Sequence, residues 1–334
     1  MTANFARLPE LMKLANLTTP MSIRVAASLR LADHVAAGVD SAELLAETTA
    51  TSVEPLGAVI AHLVELGIFS QDEGGHLELT ELGELLTDQT PVRAMLDLEG
   101  FAGKFDLAMT NLLFTVRTGR PAYEEQYGIS YWDDVARDPE IAKTIGRFQP
   151  REPLFDADLL TEAVDWSSTT KFLDVGGANG AVAALILRTF PHLTGAVFDL
   201  PALAENAVDV LVTTGLDERA TAVGGSFFDS VPSGYDTYLL SAIIYDWDDE
   251  RAIQILSNVA AAAGGARIVV SEVTMRELTA PRDPSLDLQM LTTVSGHERS
   301  EGEIIDLAVA AGLRLIGTPH RRGQRFVLEF VSAG

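Results

Sequence analysis

The stretch Phe172-Leu-Asp-Val-Gly-Gly-Ala-Asn-Gly180 decides the fold. Lys171 to Val175 reads as a short apolar strand carrying an acid near its end. Gly176, Gly177 and Gly180 then let the backbone turn and approach a ligand closely, before the apolar helix Ala181 to Thr189. The alternation continues downstream. Gly195 to Asp199, Thr221 to Gly224, Thr237 to Leu240 and Arg267 to Glu272 read as strands. Ala202 to Val212, Glu250 to Ala262 and Glu301 to Ala311 read as helices between or after them. Such alternation predicts a doubly wound α/β domain with a parallel sheet covered on both faces. Leu313 to Ile316 and Arg325 to Phe330 complete the sheet at one end. In open sheets of this kind ligands bind in the crevice beyond the carboxyl ends of the strands, where the glycine turn lies.

The residues at that crevice narrow the ligand. A dinucleotide fingerprint needs G-x-G-x-x-G, but counting from Gly176 the third position is Ala178 and the sixth is Ala181, so a nicotinamide dinucleotide fits poorly. Asp174 closes the first strand, and Asp199 closes the next in Val197-Phe-Asp-Leu-Pro201. A carboxylate at the second strand end can accept two hydrogen bonds from a ribose diol, and Asp174 can hold an amino group. A ligand with a ribose, an adenine, a cationic amino-acid tail and no phosphates suits these acids. S-adenosylmethionine has those features.

Composition sets outer bounds. The 334 residues carry 24 Lys plus Arg against 48 Asp plus Glu, a formal charge of 24 − 48 = −24, which repels polyanions. With 47% hydrophobic and 22% charged residues the chain can bury a sizeable core, and wholesale disorder is excluded. Cysteine is absent, which excludes disulfides, thiolate nucleophiles and cysteine-based metal centres. His34, His62, His76, His192 and His320 form no catalytic or metal-site pattern with the carboxylates. Met1 to Arg7 lacks a basic segment followed by an apolar one, and no apolar run reaches the roughly 20 residues of a membrane span. A cytoplasmic protein without membrane partners is the expectation.

The first half differs. Thr19-Pro20 reads as an N-cap and N1 pair, Ser41 as the cap of a second helix, and Leu56 to Leu66 as a third helix. Ile68-Phe69, the Gly74-Gly75 turn and His76 to Leu79 suggest a hairpin. Three helices and a hairpin make a winged-helix pattern. Between Arg30 and Arg93 there is no Lys or Arg, so nucleic acid is not the expected partner and packing or dimerisation is. The expected division is 1–90 for this module, 91–165 for a helical connector and 166–334 for the α/β domain. Phe105, Met109, Trp132, Phe148 and Met290 are candidates for a substrate wall.

The chain resembles the S-adenosylmethionine-dependent small-molecule O-methyltransferases that plants and actinomycetes use on phenolic and polyketide metabolites. The matching stretches are Leu173-Asp-Val-Gly-Gly-Ala-Asn-Gly180, Phe198-Asp-Leu-Pro201, Gly224-Gly-Ser-Phe-Phe-Asp229, Tyr245-Asp-Trp-Asp-Asp-Glu250, Ser271-Glu-Val273 and Ser295-Gly-His-Glu-Arg-Ser300, in family order. The resemblance implies a Rossmann-like methyltransferase domain behind an N-terminal winged-helix dimerisation domain. It also implies a homodimer whose partner's N-terminal segment helps to close the substrate pocket. It implies cofactor contacts from Asp174, Gly176, Gly177, Gly180, Asp199 and Leu200, with Phe227 beside the adenine and Ser241 and Trp247 nearby. Ser226 stands where many relatives have an adenine-facing Asp, and Ala178 replaces the third glycine of the turn.

The larger departure is at the catalytic position. Methyl transfer to a hydroxyl must align oxygen, carbon and sulfur and must remove the hydroxyl proton. Plant-type relatives place a His immediately before Asp-Trp as general base, and here that position is Tyr245, followed by Asp246. The family's supporting acids are Glu272 and Glu298. Tyrosine, with a reference pKa near 10, is about one part in a thousand phenolate at pH 7, and neighbouring acids push it further up. Three readings stay open: proximity catalysis on an acidic phenol or carboxylate, His297 as a substitute base, or a cofactor-retaining enzyme doing hydroxylation, decarboxylation or cyclisation.

Overall fold

A computed structural model describes residues 5–90, 92–138, 141–142, 145, 153, 156–273 and 284–333. The chain divides into two compact units, Met1–Leu107 and Ala108–Gly334. In the first, helices Thr18–Ser28, Leu31–Ala36, Ala42–Thr48 and Val53–Glu65 precede a hairpin of β1 (Phe69–Gln71) and β2 (Leu77–Leu79). The strands pair antiparallel with Phe69 opposite Leu79 and Gln71 opposite Leu77. Apolar residues at helical spacing, Leu31, Leu45, Leu56, Ile60 and Leu63, meet Phe69 and Leu77 in one core. The Ser41 hydroxyl accepts from the Leu44 N–H at 3.3 Å and caps its helix as expected. Thr19 and Pro20 do not open theirs. The helix begins at Thr18, whose N–H is taken by Asn16 Oδ1 at 2.8 Å, and the Thr19 hydroxyl bonds the His62 ring at 2.9 Å.

The second unit holds a seven-stranded sheet in the order β5-β4-β3-β6-β7-β9-β8. Its strands are β3 (Lys171–Val175), β4 (Thr194–Asp199), β5 (Ala220–Gly224), β6 (Thr237–Ser241), β7 (Arg267–Val273), β8 (Leu313–Arg322) and β9 (Arg325–Ser332). β3 to β7 run parallel, whereas β9 is antiparallel to both β7 and β8. The two strands expected to complete the sheet at one end do so, as an antiparallel pair. Only Gly323 and Gln324 separate β8 from β9, and so short a link makes a hairpin, since parallel neighbours need a crossover of a dozen residues or more.

Period-two alternation divides the core. Leu173, Leu240, Val270 and Leu328 face helices Asp249–Ala263 and Glu301–Ala310 through Ile255, Leu256 and Ile304. Phe172, Val197, Leu239, Val269 and Val327 face helices Ala181–Thr189 and Pro201–Thr213 through Leu187, Ala207 and Leu211. Burial on both sides accounts for the almost continuous apolar strands. Two residues beyond each member of the second set, the same face carries Asp174, Asp199, Ser241 and Ser271, with Arg325 two residues before Val327 on the antiparallel strand. This polar rim stands at the carboxyl ends of β3 to β7, where the site forms.

Candidate active site

A cavity of about 460 Å³ opens at that rim, and every residue lining it belongs to the second unit. Its floor is the glycine turn. A Cβ on Gly177 would lie 2.6 Å from Asp174 Oδ2, so only glycine lets the turn cross the carboxylate this closely. Ala178 and Ala242, both lining the cavity, have φ of 49° and 58°, in the left-handed region that strains an alanine. The strain at Ala178 is matched by a hydrogen bond from its N–H to Asp199 Oδ2 at 2.8 Å, with the Leu200 N–H donating to Oδ1 at 2.7 Å. Gly180 caps the helix that follows.

Asp174 is 1% exposed, and neither carboxylate oxygen has a hydrogen-bond partner, although the nearby Ala183 N–H favours its charged form. Burial, and secondly the Asp199 charge, push it up to about 7. Burial pushes Asp199 up to about 6 against the two N–H groups that hold it down. An unsatisfied buried carboxylate is costly until a cation or donor reaches it, and this one lies beside the cavity.

Above the floor stands an aromatic wall. Trp247 meets Phe227 and Phe228 edge-on, with ring centroids 5.8 and 4.7 Å away, and stacks with Trp132 at 6.1 Å. Asn258 fixes the Phe227 loop by donating to the Phe227 and Phe228 carbonyls at 2.8 and 3.0 Å. Ser226, Leu200 and Ser241 line the same space. A flat adenine, a ribose and a cationic tail match this combination of wall, acceptor and buried acid.

Tyr245 and Asp246 line the cavity from a 3₁₀ turn, Ile244–Asp246, just past β6. Glu272 lies buried behind them, its Oε1 accepting from the Ile243 and Ile244 N–H groups at 3.1 and 2.8 Å. Burial pushes Glu272 up to about 7, and burial with Glu272 pushes Asp246 well above the usual carboxylate range. Asp246, followed by burial and Glu272, holds the Tyr245 phenol well above 10, so at neutral pH it is a hydrogen-bond donor. His297 and Glu298 are half-buried and do not line the cavity. Met290 is half-buried on helix Pro284–Thr293, and Met109 Sδ accepts from the Thr292 hydroxyl of that helix at 3.1 Å. Trp132 lines the cavity, Phe105 belongs to the first unit, and Phe148 lies outside the described residues. Among the described residues no group of His, Asp and Glu could hold a metal ion.

Three positioning residues went unread in the sequence. Gly296 lies against the backbone of Tyr245 to Trp247. Arg299, almost wholly buried, donates to the Ile244 and Trp247 carbonyls at 2.8 Å each and to Asp249 Oδ1 at 2.6 Å. Asp249, in the first turn of helix Asp249–Ala263, thus pairs with Arg299. Arg325, buried at the start of β9, donates to the Ser241 and Ser271 hydroxyls at 3.0 Å each.

Comparison with known proteins finds relatives along most of the chain. A family model described as an O-methyltransferase domain matches residues 109–314. The chain is 39% identical to a 2,7-dihydroxy-5-methyl-1-naphthoate 7-O-methyltransferase of Streptomyces carzinostaticus, over 90% of this chain and 91% of that one. It is 40% identical to the aclacinomycin 10-hydroxylase of Streptomyces purpurascens, over 91% of this chain and 84% of that one. Among solved structures, an O-methyltransferase from neocarzinostatin biosynthesis, in complex with S-adenosyl-L-homocysteine and 1,4-dihydroxy-2-naphthoic acid, is 36% identical with a TM-score of 0.81, covering 96% of this chain and 98% of that one. The chain belongs to the S-adenosylmethionine-dependent O-methyltransferase family, and its Rossmann-like second unit is that family's catalytic fold.

Proposed function

We propose that this enzyme methylates a hydroxyl of an aromatic, polyketide-like small molecule in secondary metabolism, with Tyr245 positioning the acceptor and not deprotonating it. The observation that carries the reading is the cavity itself, which joins an unpartnered buried carboxylate, Asp174, to an aromatic wall and to Tyr245. The naphthoate methyltransferase relative supports the substrate class. When bound, the cofactor supplies an electrophilic methyl on a sulfonium. Asp199 accepts from the ribose diol, Asp174 holds the ammonium, and Leu200, Ser226, Phe227 and Trp247 surround the adenine. Gly176, Gly177 and Gly180 admit the ligand, and Ser241 borders its tail. Trp132, Met109 and Met290 are proposed to form the acceptor wall. Tyr245 donates to the acceptor oxygen, and ionisation of the acceptor's own hydroxyl supplies the nucleophile. His297 remains the substitute base to test, with Glu298 and Glu272 as supporting acids.

Mass spectrometry of naphthoate-type phenols incubated with S-adenosylmethionine should show a gain of one methyl. Tyr245→Phe should then cost at most about tenfold in turnover, because one neutral hydrogen bond is worth roughly 0.5–1.5 kcal/mol. A loss beyond about a thousandfold, within the range of a true general base, would show that Tyr245 or its neighbours remove the proton. The identity to a 10-hydroxylase favours a second reading, cofactor-dependent tailoring without methylation. Conversion of substrate with no methyl gained would select it.

We further read the first unit as a winged-helix-type dimerisation module, within the division 1–90, 91–165 and 166–334. The helix Leu8–Ala15 buries none of its residues, and Phe5, Leu8, Leu11, Met12, Leu14 and Leu17 are all exposed, Leu14 to 81%. Apolar surface of that extent marks an interface. A homodimer whose N-terminal segment closes the partner's pocket would cover it, and light scattering at micromolar concentration should give twice the 35.8 kDa chain mass. A monomer would refute it. The net charge of −24 argues against nucleic acid as a partner, and a cytoplasmic location goes with an intracellular cofactor. Among the described residues no helix is long and apolar enough to cross a membrane.

A further inference from the structure

A second cavity, of about 280 Å³, lies against the first and shares Trp132, Asp246, Trp247 and Arg251 with it. Its described lining belongs wholly to the second unit. The stacked rings of Trp132 and Trp247 therefore border both spaces. The cofactor contacts proposed above belong to the first cavity, and none of Asp174, Asp199, Ser226 and Phe227 lines the second. A space of this size exceeds what one or two ordered waters need, at about 30 Å³ each, and approaches the roughly 300 Å³ at which small-molecule pockets begin.

Two buried polar groups of this lining, the Thr293 hydroxyl and the Trp132 indole N–H, have no hydrogen-bond partner among the described residues. A helical threonine commonly returns its hydroxyl to the carbonyl four residues back, as Thr292 does to Leu288 at 2.9 Å. Thr293, next to it and 2% exposed, does not. An unpaired buried polar group is costly, so both favour a ligand that brings hydroxyls. The charged lining is mixed in sign. Arg120 lies 3.9 Å from Glu124, one helical turn away. Arg251 lies over the Trp247 and Phe228 rings, 5.6 Å from each centroid, and its backbone N–H donates to Asp248 at 2.9 Å. With Asp246, three acids face two cations among the described lining residues, so an anionic ligand gains no net attraction.

A sugar hydroxyl can donate to a carboxylate and accept from a guanidinium at once, and the C–H face of a sugar ring packs on an indole. Neighbouring acids and cations, an unengaged hydroxyl and a tryptophan wall together suit a neutral, hydroxyl-rich ligand. We propose that the second cavity receives a sugar ring carried by the acceptor, with Thr293, Arg120 and Glu124 binding its hydroxyls and the Trp132 and Trp247 rings bordering it. The assignment rests on acceptor methylation in the first cavity and extends it. The acceptor is then a glycoside, its phenol beside Tyr245 and its sugar in the adjoining space.

Steady-state methylation tests this by comparing 4-hydroxy-1-naphthyl and 5-hydroxy-1-naphthyl β-D-glucopyranosides with 4-methoxy-1-naphthol and 5-methoxy-1-naphthol, which keep the phenol and lack the sugar. For at least one pair the parent's kcat/KM should favour the glucoside by about 10- to 150-fold, the range of one charge-assisted hydrogen bond. Arg120→Met should cut that preference by about tenfold, and Thr293→Val, which keeps the side chain's shape, by about two- to twelvefold. Both variants should methylate the methoxynaphthols within about twofold of the parent. Arg120 is exposed and the Thr293 hydroxyl bonds no described group, so neither change threatens folding. A parent that favours neither glucoside, or a preference that both variants keep, overturns the proposal. So does a preference for 4-hydroxy-1-naphthoate that Arg120→Met removes, which would make the cavity an anion site. If none of these phenols gains a methyl, the acceptor reading falls with it, an outcome distinct from methylation that ignores the sugar.

Discussion

Gly296→Ala is expected to reduce turnover by at least about a hundredfold in a protein that still folds. A Cβ at this position would lie 2.1 Å from the Tyr245 carbonyl oxygen, 2.2 Å from the Asp246 carbonyl carbon and 2.5 Å from the Trp247 nitrogen. These are backbone atoms, so no rotamer change relieves the contact, and either the Gly296 segment or the turn bearing Tyr245 must move by about an ångström. Overpacking of that kind costs about 1–3 kcal/mol, which a domain of ordinary stability survives. A misplacement near 1 Å at reacting groups costs about 10²-fold in rate. Turnover, the melting temperature and S-adenosylhomocysteine affinity should therefore separate. Turnover collapses, melting falls by several degrees, and affinity declines only as far as Trp247 is displaced. A variant with parental turnover would show that the turn does not set the acceptor's position.

The sheet was legible because each parallel strand is a short apolar run buried on both faces and bounded by glycine or an acid. Strand ends consequently fell within one or two residues of their positions from Lys171 to Val273. β8 was not, extending to Arg322 where the sequence suggested an end at Ile316. Beyond Ile316 a bulge breaks the register, resuming at His320 opposite Val327, and the outer strand's exposed residues carry no apolar pattern. The Thr19-Pro20 error has a local cause. Asn16 supplied a competing acceptor two residues upstream of Thr18, and the Thr19 hydroxyl was claimed by His62, 43 positions away.

The same distinction divides the site. Asp174, the glycines and Asp199 are local features of strand ends, and spacing exposes them. Arg299, Gly296 and Arg325 act on groups about 50 or more positions away in the chain, and no periodicity links them to their targets. One signal was present. In Arg325-Phe-Val-Leu-Glu-Phe330 the charge opens a strand whose next three residues are all buried, and a charge in a doubly covered strand needs a partner or a ligand. The run Asp248 to Glu250 was legible in part. Asp248 caps the helix by accepting from the Arg251 N–H at 2.9 Å, whereas Asp249 looks identical in sequence and faces Arg299.

Arg299→Met should destabilise the protein by about 1.5–4.5 kcal/mol: the Trp247 carbonyl left unpaired costs roughly 1–3 kcal/mol, and the Ile244 carbonyl, which still accepts from the Trp247 N–H at 3.3 Å, loses one hydrogen bond worth roughly 0.5–1.5 kcal/mol. At about 2–4 °C per kcal/mol for a domain near 200 residues, melting falls by about 3–18 °C. Methionine keeps most of the side chain's apolar stem, so the loss reports hydrogen bonding more than packing. The ion pair to Asp249 contributes little of it, because Asp249 is 68% exposed while Arg299 is 1% exposed, and exposed partners are worth at most about 1 kcal/mol. Asp249→Ala should accordingly lower melting by no more than about 4 °C. The two carbonyls flank Tyr245 and Asp246 on either side, so freeing them loosens the turn that presents the phenol and the Trp247 wall together. Turnover should fall further than cofactor affinity in Arg299→Met, and both should stay near parental values in Asp249→Ala. Equal losses in the two variants would place the energy in the ion pair and refute the carbonyl clamp. A stable, fully active Arg299→Met protein would show that the turn holds its shape without it.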